Sequence, residues 1–423
     1  MATAAAALRI GAIADDLTGA TDLALTLSRG GMRVKQVVGV PENPADLQGA
    51  DAIVVSLKSR TIPAREAVRQ STAAAEALVG AGAQQLFFKY CSTFDSTDEG
   101  NIGPVIEALL DLLGEKRTLA CPAFPTNKRT VYKGHLFVGD QLLSDSSMKD
   151  HPLTPMRDSN LVRVLARQTR LPVSLVPIET VRAGVEALKT ALEAVEGVAI
   201  VDALQDDDLR IIGAAARSFR LVTGGSGVAL GLPANFPGVR GDTPATFAAK
   251  APRGRAAVLA GSCSVATRRQ IEAALKAGMP GLKLDPLAIA RGAMAVEDAA
   301  TFALGTSAGA IPIVYASDAP EAVAESQRVL GRERAGSLIE EFLSALSTKL
   351  VDAGFDRIIV AGGESSGAVI EGLGVKALEV GEEIDPGVPW MQAKSRGRTI
   401  ALALKSGNFG ADDIFLKAWE KLE

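Results

Sequence analysis

Two adjacent carboxylates, Asp15 and Asp16, follow directly on the apolar run Ile10 to Ala14, and the turn Leu17-Thr18-Gly19 then opens a helix. Open α/β sheets bind ligands at the carboxyl ends of their strands, so this spacing places both carboxylates on a ligand-binding edge. A carboxylate there is partly desolvated, and a second beside it adds repulsion. A helix N-terminus, a cation or a substrate that donates hydrogen bonds must compensate. Two readings stand side by side: a pair that orients and deprotonates a hydroxyl, or an Asp16 that only caps the helix. Asp22, one turn later, faces either the same pocket or solvent.

Other strand ends carry complementary groups. Ser56-Leu57-Lys58-Ser59-Arg60-Thr61 follows one apolar run, and Lys89-Tyr90-Cys91-Ser92-Thr93 ends another. The edge that offers Asp15 and Asp16 therefore also offers Arg60, Lys89, Ser92 and Thr93. Such a set suits a small anionic polyol, with the cations on its acid group and the aspartates on its hydroxyls. The alternative is that Arg60 and Lys89 only neutralise the aspartates in structural ion pairs.

In the C-terminal half, three small-residue turns follow apolar runs: Gly261-Ser262-Cys263-Ser264, Gly362-Gly363-Glu364-Ser365-Ser366-Gly367, and Ser406-Gly407-Asn408 after Lys405. Turns of this kind leave backbone N–H groups and hydroxyls free to face an anion. Each alone reads equally as an ordinary βα turn; three in one domain make a phosphate cradle. Thr223-Gly224-Gly225-Ser226-Gly227 lacks the full GxGxxG, and close backbone packing explains its glycines.

The elements that must position these groups alternate. Strand-like runs at 10–14, 34–40, 52–57, 85–90 and 117–121 are separated by helical stretches at 17–29, 63–79 and 101–113, the pattern of a parallel sheet covered on both faces. Between 121 and 160 periodicity lapses, which marks a long functional loop. A helix at 161–167, a strand at 173–176, a helix at 181–195 and a strand at 198–201 follow. Proline and glycine crowd 232–255, which separates a first domain (1–235) through a linker (236–255) from a second (256–423). The fold class is α/β: two domains, each a mainly parallel sheet with helices on both faces, with the active site in the cleft between them.

Composition narrows the function. With 423 residues, 47% hydrophobic, 22% charged and a net charge of −4, the chain is an ordinary folded protein without the electrostatic footprint of a nucleic-acid binder. Three dispersed cysteines, Cys91, Cys121 and Cys263, read as reduced thiols. Two histidines, His135 and His151, exclude a multi-histidine metal site. No signal peptide or membrane span is read, so a cytoplasmic location is expected. A homodimer is the quaternary expectation, homodimers being the commonest oligomers.

The stretches ADDLTGATD (14–22), FKYCSTFDST (88–97), CPAFPTNKRTVYKGHLFVGDQLL (121–143), GSCSVATRRQI (261–271), GGESSGAVIEGLGV (362–375), EIDPGVPW (383–390) and KSGNFG (405–410) together resemble the four-carbon acid sugar kinases. HPLTPMRDSNLVRVL (151–165) is most similar to their 3-oxo-tetronate branch. Ser365 departs from the threonine that related sequences often carry after the glutamate, but keeps a hydroxyl. The resemblance implies an N-terminal domain that binds a sugar acid, a C-terminal domain that binds ATP, and phosphorylation of the C4 hydroxyl between them. It places nucleotide contacts on Ser262, Gly362 to Gly367 and Gly407.

Phosphoryl transfer then asks for positioning and charge neutralisation. Lys89 and Arg60 are expected to hold the substrate carboxylate, and Asp15 or Asp16 to orient the hydroxyl and accept its proton. The glycine turns are expected to hold the β- and γ-phosphates with a bridging Mg2+. No metal ligand is assigned with certainty: Glu364 either helps to position the ion or faces solvent. The competing readings are a threonate or erythronate kinase, a nicotinamide-dependent dehydrogenase suggested only by the 223–227 glycines, and a non-catalytic sugar-acid sensor.

Overall fold

The apolar runs of the N-terminal half are short, and each becomes one strand of five residues or fewer. In the computed structural model, which describes residues 8–151, 153–239, 252–307, 309–318 and 320–422, the chain divides into two units, Met1–Ala245 and Thr246–Glu423. Of the expected linker 236–255, residues 240–251 lie outside the described residues.

The first unit holds β1 (Ile10–Ala14), β2 (Val34–Val38), β3 (Ala52–Ser56), β4 (Gln85–Lys89), β5 (Arg117–Cys121), β6 (Arg129–Tyr132), β7 (His135–Val138), β8 (Gln141–Leu142), β9 (Val173–Val176), β10 (Gly197–Val201) and β11 (Leu221–Gly224). Its main sheet runs β2-β3-β1-β4-β11-β5-β10-β9, with every pair parallel. All residues of β1, β3 and β4 are buried, as strands covered on both faces must be. Ala14 is level with Ser56 on β3 and with Lys89 on β4, and Lys89 with Gly224 on β11. Four strands thus end together, and the segments that follow them share one edge.

Two expectations are corrected here. The 121–160 stretch is not a structureless loop: β6, β7 and β8 pair antiparallel into a small separate sheet. Strands of four, four and two residues are too short to show alternation. Its Lys133-Gly134 turn is anchored by buried Asp202, whose carboxylate accepts both N–H groups at 2.7 and 2.9 Å. The single helix expected at 181–195 is two, Ile178–Arg182 and Val185–Glu193, because Gly184 between them takes φ +102°.

The second unit holds β12 (Arg255–Ala260), β13 (Gly281–Lys283), β14 (Ile313–Tyr315), β15 (Phe355–Ala361), β16 (Ala377–Asp385), β17 (Val388–Ser395) and β18 (Arg398–Lys405). They lie in the order β13-β14-β12-β15-β18-β17-β16. The first five are parallel, while β16, β17 and β18 form an antiparallel meander. The long Arg332–Asp352 helix buries Ile339, Phe342, Leu346 and Leu350, the stripe legible in its sequence. Trp390 and Trp419, 5.5 Å apart between ring centroids, close the core at the C-terminus, and the Trp390 indole donates to the Ala418 carbonyl at 2.8 Å.

Candidate active site

At the end of β1 the chain turns into the Leu17–Arg29 helix, and Asp16 caps it. Its carboxylate accepts the Gly19 N–H at 3.0 Å and the Thr18 hydroxyl at 2.8 Å. The capping reading is therefore true but incomplete, since the same carboxylate lies 2.8 Å from Arg60 Nη2 and 4.0 Å from Lys89 Nζ. Asp15 is gripped by the fork of Arg60, with Nε donating at 2.9 Å and Nη2 at 2.8 Å. Arg60 Nη1 is the loosest corner, 3.8 Å from Asp95 Oδ2.

The loops that bring these groups together have their own supports. Asn101 donates from one amide nitrogen to the carbonyls of Ser59 (2.6 Å), Arg60 (3.1 Å) and Ile62 (2.9 Å), which fixes the backbone under Arg60. After β4, Thr93 donates to Asp95 at 2.6 Å, and Cys91 Sγ lies 3.0 Å from the Thr93 hydroxyl. Ser92 is half-buried on the same loop. Phe94 and Asp95 take φ +64° and +36°, unusual for side-chain-bearing residues and of a kind that gathers at binding sites. Gly19 leaves room for a close approach: a Cβ there would stand 2.2 Å from both Asp16 Oδ1 and Lys89 Nζ.

The two aspartates differ electrostatically. Burial pushes the Asp15 carboxyl above its ordinary range, against the pull of Arg60. Burial also pushes on Asp16, but Arg60, Lys89, Thr18 and the Gly19 N–H outweigh it and hold that carboxyl low. Asp22 is raised by burial against the nearby Lys89, which places it among these charges rather than in open solvent. The Asp15 side chain is 8% exposed and that of Asp16 29%, so a ligand reaches Asp16 first. Asp15 serves to hold Arg60.

The structure thus brings Asp15, Asp16, Arg60, Lys89 and Thr93 into one cluster, with Ser92 on its rim. It also shows both expected cations already engaged by aspartates. An anion entering this cluster has to share the loose side of Arg60 or displace Asp16 from it.

In the second unit, β12, β15 and β18 are adjacent and end level, with Ala260 opposite Ala361 and Ala361 opposite Lys405. The three small-residue turns therefore start from one line. The Ser262 N–H donates to the Ala361 carbonyl at 3.1 Å and the Gly362 N–H to that of Lys405 at 2.9 Å. Ser264 caps the Val265–Lys276 helix, accepting the Thr267 N–H at 3.2 Å. Gly362, at φ +127°, opens the Gly363–Gly372 helix.

A cavity of about 300 Å³ opens beside these turns. Ser262, Gly362, Gly363, Glu364 and Ser365 line it, together with apolar Ala322, Val323, Ala335 and Ile339 and polar Ser326, Gln327 and Glu340. Small polar turns beside apolar side chains are what a nucleotide needs for phosphates and base. Ser366 and Gly367 are buried within the helix and are not among the lining residues, whereas Gly407 packs against Ser262, where a Cβ would stand 2.4 Å from the Ser262 hydroxyl. Among the described residues no group of three or more His, Cys, Asp or Glu is placed to hold a metal ion. Asp318, Glu340 and exposed Glu364 line the cavity and offer carboxylate oxygens of the kind that Mg2+ accepts.

The glycines at 224, 225 and 227 are used for packing. Added Cβ atoms would stand 2.3 Å from the Cys121 carbonyl, 2.7 Å from that of Pro122 and 2.4 Å from that of Ala123. The dehydrogenase reading thereby loses its one sequence support. Sequence reasoning missed Asp95, Asn101 and Lys405. Asp95 stood in the polar STFDST run, Asn101 read as a helix start, and Lys405 was passed over for the glycine beside it.

The first unit thus carries a cluster of paired charges and the second a set of level small-residue turns, and the family matches make this a sugar-binding and nucleotide-binding protein. Residues 10–232 match the family described as the sugar-binding N-terminal domain, and residues 257–415 the one described as the nucleotide-binding C-terminal domain. The chain belongs to this family of four-carbon acid sugar kinases. It is 53% identical to the 3-oxo-tetronate kinase of Pseudomonas fluorescens, over 98% of this chain and 97% of that one. To the 3-oxo-tetronate kinase of Burkholderia multivorans it is 52% identical, over 98% and 97%. A crystal structure of a Salmonella typhimurium protein, 40% identical, superposes with a TM-score of 0.88 over 98% of this chain and 100% of its own. Among the described residues no helix is long and apolar enough to cross a membrane.

Proposed function

We propose that this chain is an ATP-dependent kinase that phosphorylates the C4 hydroxyl of 3-oxo-tetronate, giving the 4-phosphate. The observation that carries the reading is the pairing of two unlike sites in one chain. One is a carboxylate and guanidinium cluster in the sugar-binding match; the other is a trio of level glycine and serine turns in the nucleotide-binding match. Relatives that carry the kinase name match along nearly the whole chain.

In this reading Arg60 and Lys89 bind the acid group and share their charge with Asp16. Asp16, the more exposed aspartate, orients the C4 hydroxyl and takes its proton as the phosphoryl group departs for it. Asp15 keeps Arg60 in place, and Asn101 and Asp95 keep the loops in place. The Ser262, Gly362–Gly363 and Gly407 turns bind the phosphates, and Ala322, Val323 and Ile339 of the cavity lining take the base. Glu364 would help to hold Mg2+, which would supply charge neutralisation to the phosphates. A cytoplasmic location, where ATP is plentiful, accords with this chemistry.

The test is ADP release from ATP and Mg2+ with 3-oxo-tetronates, threonate, erythronate, or no acid. Turnover with an oxo acid far above the rest is expected. Turnover only with the reduced acids would keep the kinase and change its substrate, and none with any acid would return the sensor reading.

A further inference from the structure

Lys405, the last residue of β18, has no exposed surface, yet among the described residues its ammonium meets neutral acceptors: the Thr267 hydroxyl at 3.1 Å and the carbonyls of Ser406 at 3.0 Å and Gly407 at 3.1 Å. The Gly407 carbonyl also accepts from the hydroxyls of Ser264 at 2.6 Å and Thr267 at 2.8 Å. Two positions further on, Gln270 donates to the carbonyls of Phe409 at 3.0 Å and Gly410 at 2.9 Å. Ser264, Thr267 and Gln270 are spaced by three and share one face of the helix start. Four carbonyls of the 406–410 turn are therefore drawn to one side, by a helix face and one lysine.

The consequence follows from peptide geometry. In a planar trans peptide the N–H of the next residue points opposite to the carbonyl. With the Ser406 and Gly407 carbonyls turned toward Lys405, the Gly407 and Asn408 N–H groups point away from it. Two successive N–H groups on one side form an anion-binding nest. Gly407 lies so close to Ser262 that a Cβ would stand 2.4 Å from its hydroxyl, so this nest adjoins the first of the three turns. An apolar side chain of similar length would fill the lysine's space without the cost of burying a charge. What the ammonium adds is orientation.

We infer that Lys405 is a positioning residue of the nucleotide site: it pulls the Ser406 and Gly407 carbonyls inward and so presents the Gly407 and Asn408 N–H groups to the phosphate chain of ATP without touching it. The inference rests on the kinase reading above. Titration calorimetry on the full chain with ADP, and separately with adenosine, tests it in the wild type, Lys405→Met and Thr267→Val. Lys405→Met is expected to weaken ADP about 10- to 100-fold, the worth of one or two hydrogen bonds to a charged group, and to leave adenosine within about twofold. In turnover, KM for ATP rises while KM for the sugar acid does not move.

Equal losses for ADP and adenosine would show a merely structural lysine and overturn the inference, as would unchanged ADP affinity. Thr267→Val removes one donor to the same carbonyl and leaves the lysine in place, so it shifts ADP in the same direction by less; it carries the test if Lys405→Met does not fold. A wild-type chain that binds neither ADP nor adenosine would bring down the kinase reading itself, whatever the variants do.

Discussion

The two poles prepare for anions by opposite means. In the first unit, side-chain charge does the work: Asp15, Asp16 and Asp95 surround Arg60, and Lys89 stands behind Asp16. In the second, backbone groups and hydroxyls do it, and the fully buried Lys405 faces carbonyls rather than a ligand. A pole of paired charges has to exchange partners when a substrate enters, so it is sensitive to the loss of any charge. A pole of aimed N–H groups exchanges nothing. It is sensitive instead to whatever sets the aim, namely glycines, hydroxyls and a hidden lysine.

The sharpest way to break this contrast is at Asp16. Asparagine caps a helix as well as aspartate does, so Asp16→Asn keeps the Leu17–Arg29 helix while removing the proton acceptor and one charge on Arg60. The expected result is a fall in kcat of about 10²- to 10⁴-fold, the range for a positioned general base, with ADP affinity unchanged. Full activity in both Asp16→Asn and Asp15→Asn would end the role assigned to this pair.

The second pole is sharpened by pH. Burial lowers Lys405 from 10.5 to about 8. Between those values the unfolded chain holds the proton and the folded chain has lost it, so stability contributed by this group rises with pH across that window. The rise is at most about 3 kcal/mol. The thiols of half-buried Cys91 and buried Cys121, raised by desolvation to about 11 and about 12, pull the other way, because the unfolded thiols ionise first. The quantity to measure is therefore the wild-type minus Lys405→Met difference in denaturant unfolding from pH 7.5 to 10. A flat difference would mean that the buried lysine does not titrate below its ordinary value.

How much of this was legible before the structure depended on sequence distance. Apolar runs ending in Asp15, Arg60, Lys89 and Ser262 announced both the strands and the groups at their ends, because side chains just past a strand are placed by the strand itself. The 129–142 hairpin and the break at Gly184 were not legible, since strands of two to four residues carry no period and a glycine inside a helical pattern is usually tolerated. Partnerships were illegible for a different reason. That Arg60 would grip Asp15, 45 residues away, rather than wait for a substrate, or that Lys405 would meet Thr267, 138 residues away, is decided by tertiary packing. Residue type showed that charge was present; only geometry showed where it was spent.

A smaller effect on the backbone pole comes from Gly407→Ala, whose Cβ would stand 2.4 Å from the Ser262 hydroxyl. Ser262 has to rotate away, and ADP is expected to bind about tenfold more weakly, the loss of one charge-assisted hydrogen bond. Sugar-acid binding, measured by calorimetry on the same variant, stays as in the wild type. Loss of sugar-acid affinity instead would show that the two poles had been assigned to the wrong units.

The mildest change separates function from stability in the charged pole. Alanine is a better helix former than glycine by about 1 kcal/mol, so Gly19→Ala on its own would strengthen the helix that Asp16 caps. The added Cβ would nevertheless stand 2.2 Å from Asp16 Oδ1 and from Lys89 Nζ. Both atoms are ends of flexible side chains and move more readily than the backbone. The variant is expected to keep or raise its Tm while KM for the sugar acid rises about threefold to tenfold, for less than 1.4 kcal/mol of lost contact, with KM for ATP unchanged. If KM for the acid does not rise although the fold is retained, then the close approach of Lys89 to Asp16 serves packing alone, and the acid group of the substrate rests on Arg60.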